Sequence, residues 1–336
     1  MVTFFRIMIA GLLLSRMALA QDPPVGRPVR VASIGFSPRP VEKILPLVEK
    51  EAAQGTDLIV LPETCTGQER PETLEGTTVK AMSELAAKYH TYIAFAMDRT
   101  EGDKRLNSVV LLDREGKVTG IYSKVFPFWS EYDLKPPVNV GEEAPVFQAD
   151  FGKVGFAICF DANYPEVWQR LGDQGAELVL FCSAYSAGMS LQAQAITNHY
   201  YIVSSTMRAD CHVYDITGEL LVYEKSSDIN VTRVTLDLDR CIFHQDFNMR
   251  QREKLLKEHA GDIVQEKWLD REAWFVFKAK RPGVSARTLA HDYGMEELRD
   301  YVARSRYQID QKRGWPFAEK VVKEQVESSK QRFPEK

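Results

Sequence analysis

From residue 29 onward the chain alternates short apolar runs with stretches of helical periodicity, and it runs through that scheme twice. Val29 to Gly35, DLIVL (57–61) and YIAFAM (92–97) are followed later by FGKVGFAICF, ELVLFCS and YIVSST. Uninterrupted apolar runs fit strands covered on both faces, as parallel strands between helices are. Between them Val41, Leu45, Val48 and Ala52, then Val79, Met82, Leu85 and Tyr89, recur at helical spacing, and residues 164–174 and 189–199 read the same way. Pro46 weighs against the first of these helices. Two segments demand antiparallel neighbours: VVLLD with VTGIYSK across Arg114-Glu115-Gly116-Lys117, and CHVYDITGELLVYE. Each reads as a hairpin. A mixed sheet, or two stacked sheets, with helices outside satisfies both demands.

Beyond about residue 245 the pattern changes to charged helical segments around one aromatic strand, AWFVFKAK at 273–280. The expected organisation is an α/β domain over 28–245 and a C-terminal extension over 246–336. No repeat of 20 to 50 residues is present.

The 336 residues are 44% hydrophobic and 10% aromatic, enough for a packed core, and the formal charge of −4 offers no basic excess for a phosphate backbone. Nucleic acid is therefore not the expected partner; a small molecule is. MVTFFRIMIAGLLLSRMALA carries an early arginine, an apolar stretch and a small-x-small ending, the pattern of a signal peptide over residues 1–20 cleaved after Ala20. Secretion or periplasmic export follows as the expectation. The alternative is a membrane anchor, but Arg16 interrupts a run already shorter than the ~20 residues a span needs. No stable span is expected after cleavage. Five cysteines are an odd number, so one thiol at least stays free or pairs with another chain, and bridges among the rest remain open.

Three strand ends carry chemistry. DLIVLPE ends in Glu63, VTGIYSK ends in Lys124, and GFAICFDANYPE places Cys159 where an apolar strand gives way to helix-start residues with Pro165 suited to a first turn. Alternation puts Cys159 in a row with Gly155 and Ala157, which predicts open space above the thiol. A helix beginning just beyond favours thiolate over thiol. A buried cysteine and two solvated charges are the plain alternative for each residue taken singly. Taken together, an acid, an amine and a thiol at the ends of separate apolar strands fit a shared crevice, because strand ends gathered on one sheet edge face a common space.

These motifs resemble the carbon–nitrogen hydrolase (nitrilase) superfamily. The resemblance rests on LPE at 61–63, YSK at 122–124 and GFAICFDANYPE, in that order, with 61 residues from Glu63 to Lys124 and 35 from Lys124 to Cys159. It extends from Arg30 to about Asp239. It implies a four-layer α-β-β-α sandwich, a Glu63-Lys124-Cys159 triad and no cofactor. A second family glutamate matches Glu131, 28 residues before Cys159. Asn163 stands where the family often has arginine, so substrate recognition there differs. The resemblance also implies hydrolysis of a small amide or N-carbamoyl compound through a cysteine thioester. Phe160-Asp161 in place of Trp-Glu after the nucleophile favours the amide branches over nitrile hydrolysis, the alternative. Trp129, Phe160, Asn163 and Tyr185 are the expected substrate-binding residues, the Phe160 N–H among them. A homodimer or larger assembly is expected.

Rival chemistries lack their residues. None of the six histidines stands in a context that would serve Cys159, and there is no HExxH, CxxC pair, GxSxG, Walker loop or GxGxxG. A catalytically silent secreted binding protein on the same fold is the remaining alternative.

Overall fold

Each of the apolar runs becomes a strand whose two faces are both buried, and this dictates the layering of the molecule. In the computed structural model, which describes residues 23–316 and Glu327, the first scheme is β1 (Pro28–Phe36), α1 (Val41–Ala52), β2 (Leu58–Val60), α2 (Thr77–Tyr89), β3 (Tyr92–Glu101), β4 (Lys104–Leu112) and β5 (Val118–Ser123). The second is β6 (Phe147–Ala149), β7 (Gly152–Ile158), α3 (Pro165–Asp173), β8 (Leu178–Ser183), α4 (Gly188–Asn198), β9 (Tyr201–Thr206), β10 (Asp210–Tyr214) and β11 (Leu220–Lys225). Then β12 (Ile229–Asp237) returns to pair antiparallel with β1. The expected signal peptide lies outside the described residues, and no described helix is long and apolar enough to cross a membrane.

Two six-stranded sheets result, ordered β12-β1-β2-β3-β4-β5 and β11-β10-β9-β8-β7-β6. Both have parallel centres, β1-β2-β3 and β7-β8-β9, and antiparallel flanks that include the two expected hairpins, β4-β5 and β10-β11. On the first sheet Ala32, Ile34, Ile59, Ile93 and Phe95 face Ile44 and Val48 of α1 and Met82 of α2. Their strand neighbours Val31, Leu58, Val60 and Ala94 belong instead to the core shared with the second sheet and with Trp168, Leu171 and Leu191 of α3 and α4. Helices, sheet, sheet, helices is the four-layer order. Ser33 Oγ donates to Ser204 O at 2.7 Å and Ser205 Oγ to Ile34 O at 2.9 Å, pinning one sheet to the other at mid-strand. Pro46 is accommodated inside an unbroken α1.

A third sheet, β13-β15-β14, is built from β13 (Cys241–His244), β14 (Ile263–Leu269) and β15 (Trp274–Ala279), with α5 (Gln245–Glu258), α6 (Ala286–Asp292) and α7 (Leu298–Arg313) around it. Its edge strand starts at Cys241, a few residues before the expected boundary at 245. Phe243, Phe275 and Phe277 centre a core of its own. The join to the sandwich is both apolar and ionic: Ile242, Val276 and Leu298 pack into the sandwich's central core, and Arg240 pairs with buried Asp215 and donates to Tyr201 Oη at 2.6 Å, while Lys267 reaches Asp215 at 3.4 Å.

Candidate active site

Pro62 stops β2, and the chain leaves the sheet edge with Glu63; Leu61 N–H still donates to Ala94 O at 2.9 Å, so the exit is fixed by β3. On the far side of the same sheet Lys124 follows β5, held by its N–H to Asn107 O at 2.9 Å. In the opposing sheet β7, β8 and β9 run parallel and end in register, which delivers Cys159, Ala184-Tyr185 and Met207-Arg208 to one edge. These ends surround a cavity of about 630 Å³ whose lining includes Glu63, Lys124, Glu131 and Cys159. The four residues singled out from sequence thus meet in one place. Cys159 adopts φ 46°, a conformation that costs a non-glycine residue roughly 1 kcal/mol or more and is held only where the surroundings enforce it.

The buried charges are tied together. Lys124 Nζ donates to Glu63 Oε1 at 2.8 Å and to Glu131 Oε2 at 2.5 Å. Asn107 Nδ2 bridges the other contacts, 2.8 Å to Glu63 Oε1 and 2.9 Å to Glu131 Oε1. Backbone N–H groups complete the set, Ala184 to Glu63 Oε2 at 2.9 Å and Phe128 to Glu131 Oε2 at 2.7 Å. Burial works against the Lys124 ammonium, but Glu63, Cys159 and Glu131 together hold its pKa above the ordinary value. The lysine is a fixed cation.

The thiol behaves otherwise than its position suggests from sequence. Burial, and then the Glu63 carboxylate, push Cys159 up to about 12, against the smaller downward pull of Lys124 and the Ala184 N–H. The expected thiolate is not the resting form. A short 3₁₀ turn, Cys159–Asn163, separates the sulfur from α3, so the helix start is too distant to offset desolvation. Nor does the row of small residues leave open space. A Cβ on Gly155 would meet Leu171 Cδ2 at 2.8 Å, so Gly155 admits α3 rather than a ligand, and Ala157 is fully buried. Cys159 escapes that row because β7 ends at Ile158.

Asp161 is a residue that the motif contains but whose role the sequence conceals. Fully buried, it accepts from Tyr122 Oη at 2.6 Å, from Phe126 N–H at 2.9 Å and from Ile158 N–H at 2.8 Å. Tyr122 and Phe126 flank Lys124, and Ile158 precedes Cys159, so one carboxylate ties the lysine segment to the nucleophile segment. Burial raises its pKa to about 6 even against these three donors. Asn107 was equally silent in sequence, one of four polar residues in the first half of β4.

Of the expected substrate-binding residues, Phe160, Asn163 and Tyr185 line the cavity. Trp129 does not: it is 66% exposed, and its neighbours Phe128 and Ser130 form the wall instead. Phe128 stands edge-on to Phe160 with centroids 5.2 Å apart. Gln68, Met207 and Arg208 also face the cavity and were not anticipated. The signal was there for the last two, since YIVSST is a third parallel strand and its continuation must reach the same edge. All five cysteines are free and buried. Among the described residues no group of three or more His, Cys, Asp or Glu side chains is disposed to hold a metal ion.

Known proteins resemble this chain in sequence and in fold. A "probable nitrilase" of Schizosaccharomyces pombe is 34% identical over 142 residues, 39% of this chain, and the beta-ureidopropionase of Arabidopsis thaliana is 26% identical over 222 residues, 59% of it. The chain spans about half the length of these two curated relatives, 51% and 52%. Its fold is like that of an amidase from Nesterenkonia sp., with a TM-score of 0.55 at 20% identity over 69% of this chain and 98% of that one. The model of the carbon–nitrogen hydrolase family matches residues 30–243. That span holds all but the first two residues of the two six-stranded sheets and every residue of the charged cluster, and the chain belongs to the carbon–nitrogen hydrolase family.

Proposed function

We propose that the protein hydrolyses a non-peptide C–N bond in a small amide or N-carbamoyl compound, with Cys159 as nucleophile. The observation that carries this reading is a protonated lysine clamped between two carboxylates beside a thiol whose proton has one acceptor at hand. Glu63 takes that proton as sulfur attacks the carbonyl carbon. The transfer leaves the net charge of the buried cluster unchanged, because a carboxylate becomes neutral as a thiol becomes thiolate. Lys124 and the Phe160 N–H receive the developing oxyanion. Glu63 then protonates the departing ammonia or amine, the acyl group stays on sulfur as a thioester, and Glu63 activates the water that releases the acid. Glu131 and Asn107 orient Lys124 throughout. The relatives named as amidase and beta-ureidopropionase support the amide and carbamoyl readings, and the one named as nitrilase supports a nitrile arm in the test.

The test is ammonia release by the mature protein from a panel of amides, carbamoyl amines and nitriles, with mass spectrometry of Cys159 during turnover. Turnover of an amide or carbamoyl amine with an acyl adduct on Cys159 is the expected result. Turnover of nitriles alone moves the protein to the nitrilase reading, and a lack of turnover on every compound leaves a silent binding protein. We further propose export, resting on residues 1–20, and assembly as a homodimer or larger, which light scattering on the full chain tests.

A further inference from the structure

Arg208 is the one acidic or basic residue of the cavity lining that the hydrolytic scheme leaves without a role. It lines the same space as Cys159 and is exposed at the mouth. Its guanidinium has no hydrogen bond or ion pair to any described residue, whereas the other cation of the cavity, Lys124, is held by Glu63 and Glu131. The backbone that carries Arg208 is fixed. Thr206 Oγ1 accepts its N–H at 3.1 Å and donates to Asp210 Oδ1 at 2.5 Å, and both Thr206 and Asp210 are buried. Met207 N–H is bonded to Ser183 O at 2.8 Å, so the end of β9 is docked on the end of β8 beside Tyr185.

Charge gives the cavity a direction. At its base Glu63 and Glu131 outnumber Lys124 by one negative charge, and at its mouth Arg208 supplies one positive charge. A dipolar cavity of this kind repels an anion from the base and attracts it at the rim. Guanidinium presents a planar fork of donors that matches carboxylate geometry. Resting on the hydrolase reading above, we propose that the substrate is an amide or carbamoyl compound that also bears a carboxylate, and that Arg208 binds this carboxylate and sends the C–N bond inward to Cys159. Arg208 is thus a specificity-determining residue and takes no part in proton transfer. A neutral amide of the same length gains nothing at the rim and can enter in either sense.

The experiment compares kcat/KM for two matched pairs, succinamate against butyramide and N-carbamoyl-β-alanine against propylurea, in the wild type and in Arg208→Gln and Arg208→Lys. The wild type is expected to prefer the acid of at least one pair by about 30-fold, as a charge-assisted hydrogen bond provides. In Arg208→Gln the preference falls to near unity, chiefly through KM, and Arg208→Lys restores part of it. A preference that survives Arg208→Gln, or a wild type that favours the neutral partner of both pairs, overturns the proposal. Calorimetry on Cys159→Ala separates recognition from chemistry. Succinamate or N-carbamoyl-β-alanine should bind at least about tenfold more tightly than its neutral partner, and the double variant with Arg208→Gln should lose this margin. Equal binding of acid and neutral compound overturns the carboxylate site. Arg208-dependent binding without ammonia release by the wild type upholds the site and refutes the hydrolase reading.

Discussion

The two sheets contribute unequally to the cavity. From the first sheet come Glu63 and Lys124, fully committed before any substrate arrives: with Glu131 and Asn107 they form a closed set of contacts between 2.5 and 2.9 Å. From the second come Cys159, Asn163, Tyr185 and Arg208, with few partners and more exposure. The difference separates groups whose geometry must not change during a reaction from groups that await a ligand. Preorganised charge does its work without reorganising, whereas recognition needs free valence.

Mutations on the two sides should therefore differ in kind. Cys159→Ala should lower turnover by about 10⁴-fold or more with little change in melting temperature, because the side chain holds nothing else in place; a large loss of stability would mean that the sulfur is structural. Glu63→Gln should also abolish ammonia release yet move the thiol downward, since the carboxylate is the second cause of its raised pKa. The pH dependence of iodoacetamide alkylation at Cys159 reads this directly, and an upward movement would contradict the proposed pairing. Lys124→Ala should lose both activity and about 3–5 kcal/mol of stability by denaturant melting, because it leaves two buried carboxylates facing each other.

Asp161→Asn tests the tie between the two sides. Its carboxyl titrates near 6 in the native state and near 3.8 as a free group, so the native state binds the proton more readily. The associated stability is fully present below about pH 4 and is lost as pH rises through 6. The wild type should accordingly exceed Asp161→Asn in melting temperature by most near pH 4, with the gap narrowing toward pH 7, and activity should fall about tenfold as Lys124 and Cys159 lose their common anchor. Smallest of all, Arg208→Gln should leave stability within about 0.5 kcal/mol, because its side chain anchors nothing; a larger loss would place Arg208 on the committed side.

Strand ends were the part of the site legible in sequence. Pro62 stops an apolar run immediately before Glu63, and VTGIYSK and GFAICF announce Lys124 and Cys159 in the same way, so topology alone brings the three together. What sequence could not show depends on neighbours from distant segments. Asp161 reads as a helix-start residue until Tyr122 and Phe126 are seen to donate to it. The thiolate expectation failed because desolvation depends on burial in three dimensions, while proximity to a helix start can be counted along the chain. Trp129 was misplaced because a 3₁₀ turn at Trp129–Asp133 rotates successive residues away from one another, so Glu131 points in and Trp129 points out. Uninterrupted strands pointed to a mixed sheet or two stacked sheets with helices outside, and the family resemblance supplied the four-layer order; the third core, joined to the sandwich through Arg240, Ile242 and Val276, was not legible.

Cys159 is 9% exposed while Cys65, Cys182, Cys211 and Cys241 are at 1% or less. An electrophile offered to the folded protein therefore meets a single sulfur, and only by entering where substrate enters. Labelling stoichiometry then counts competent protein molecules in any preparation, and protection from the label by an added small molecule becomes an assay for occupants of the cavity before any product has been identified.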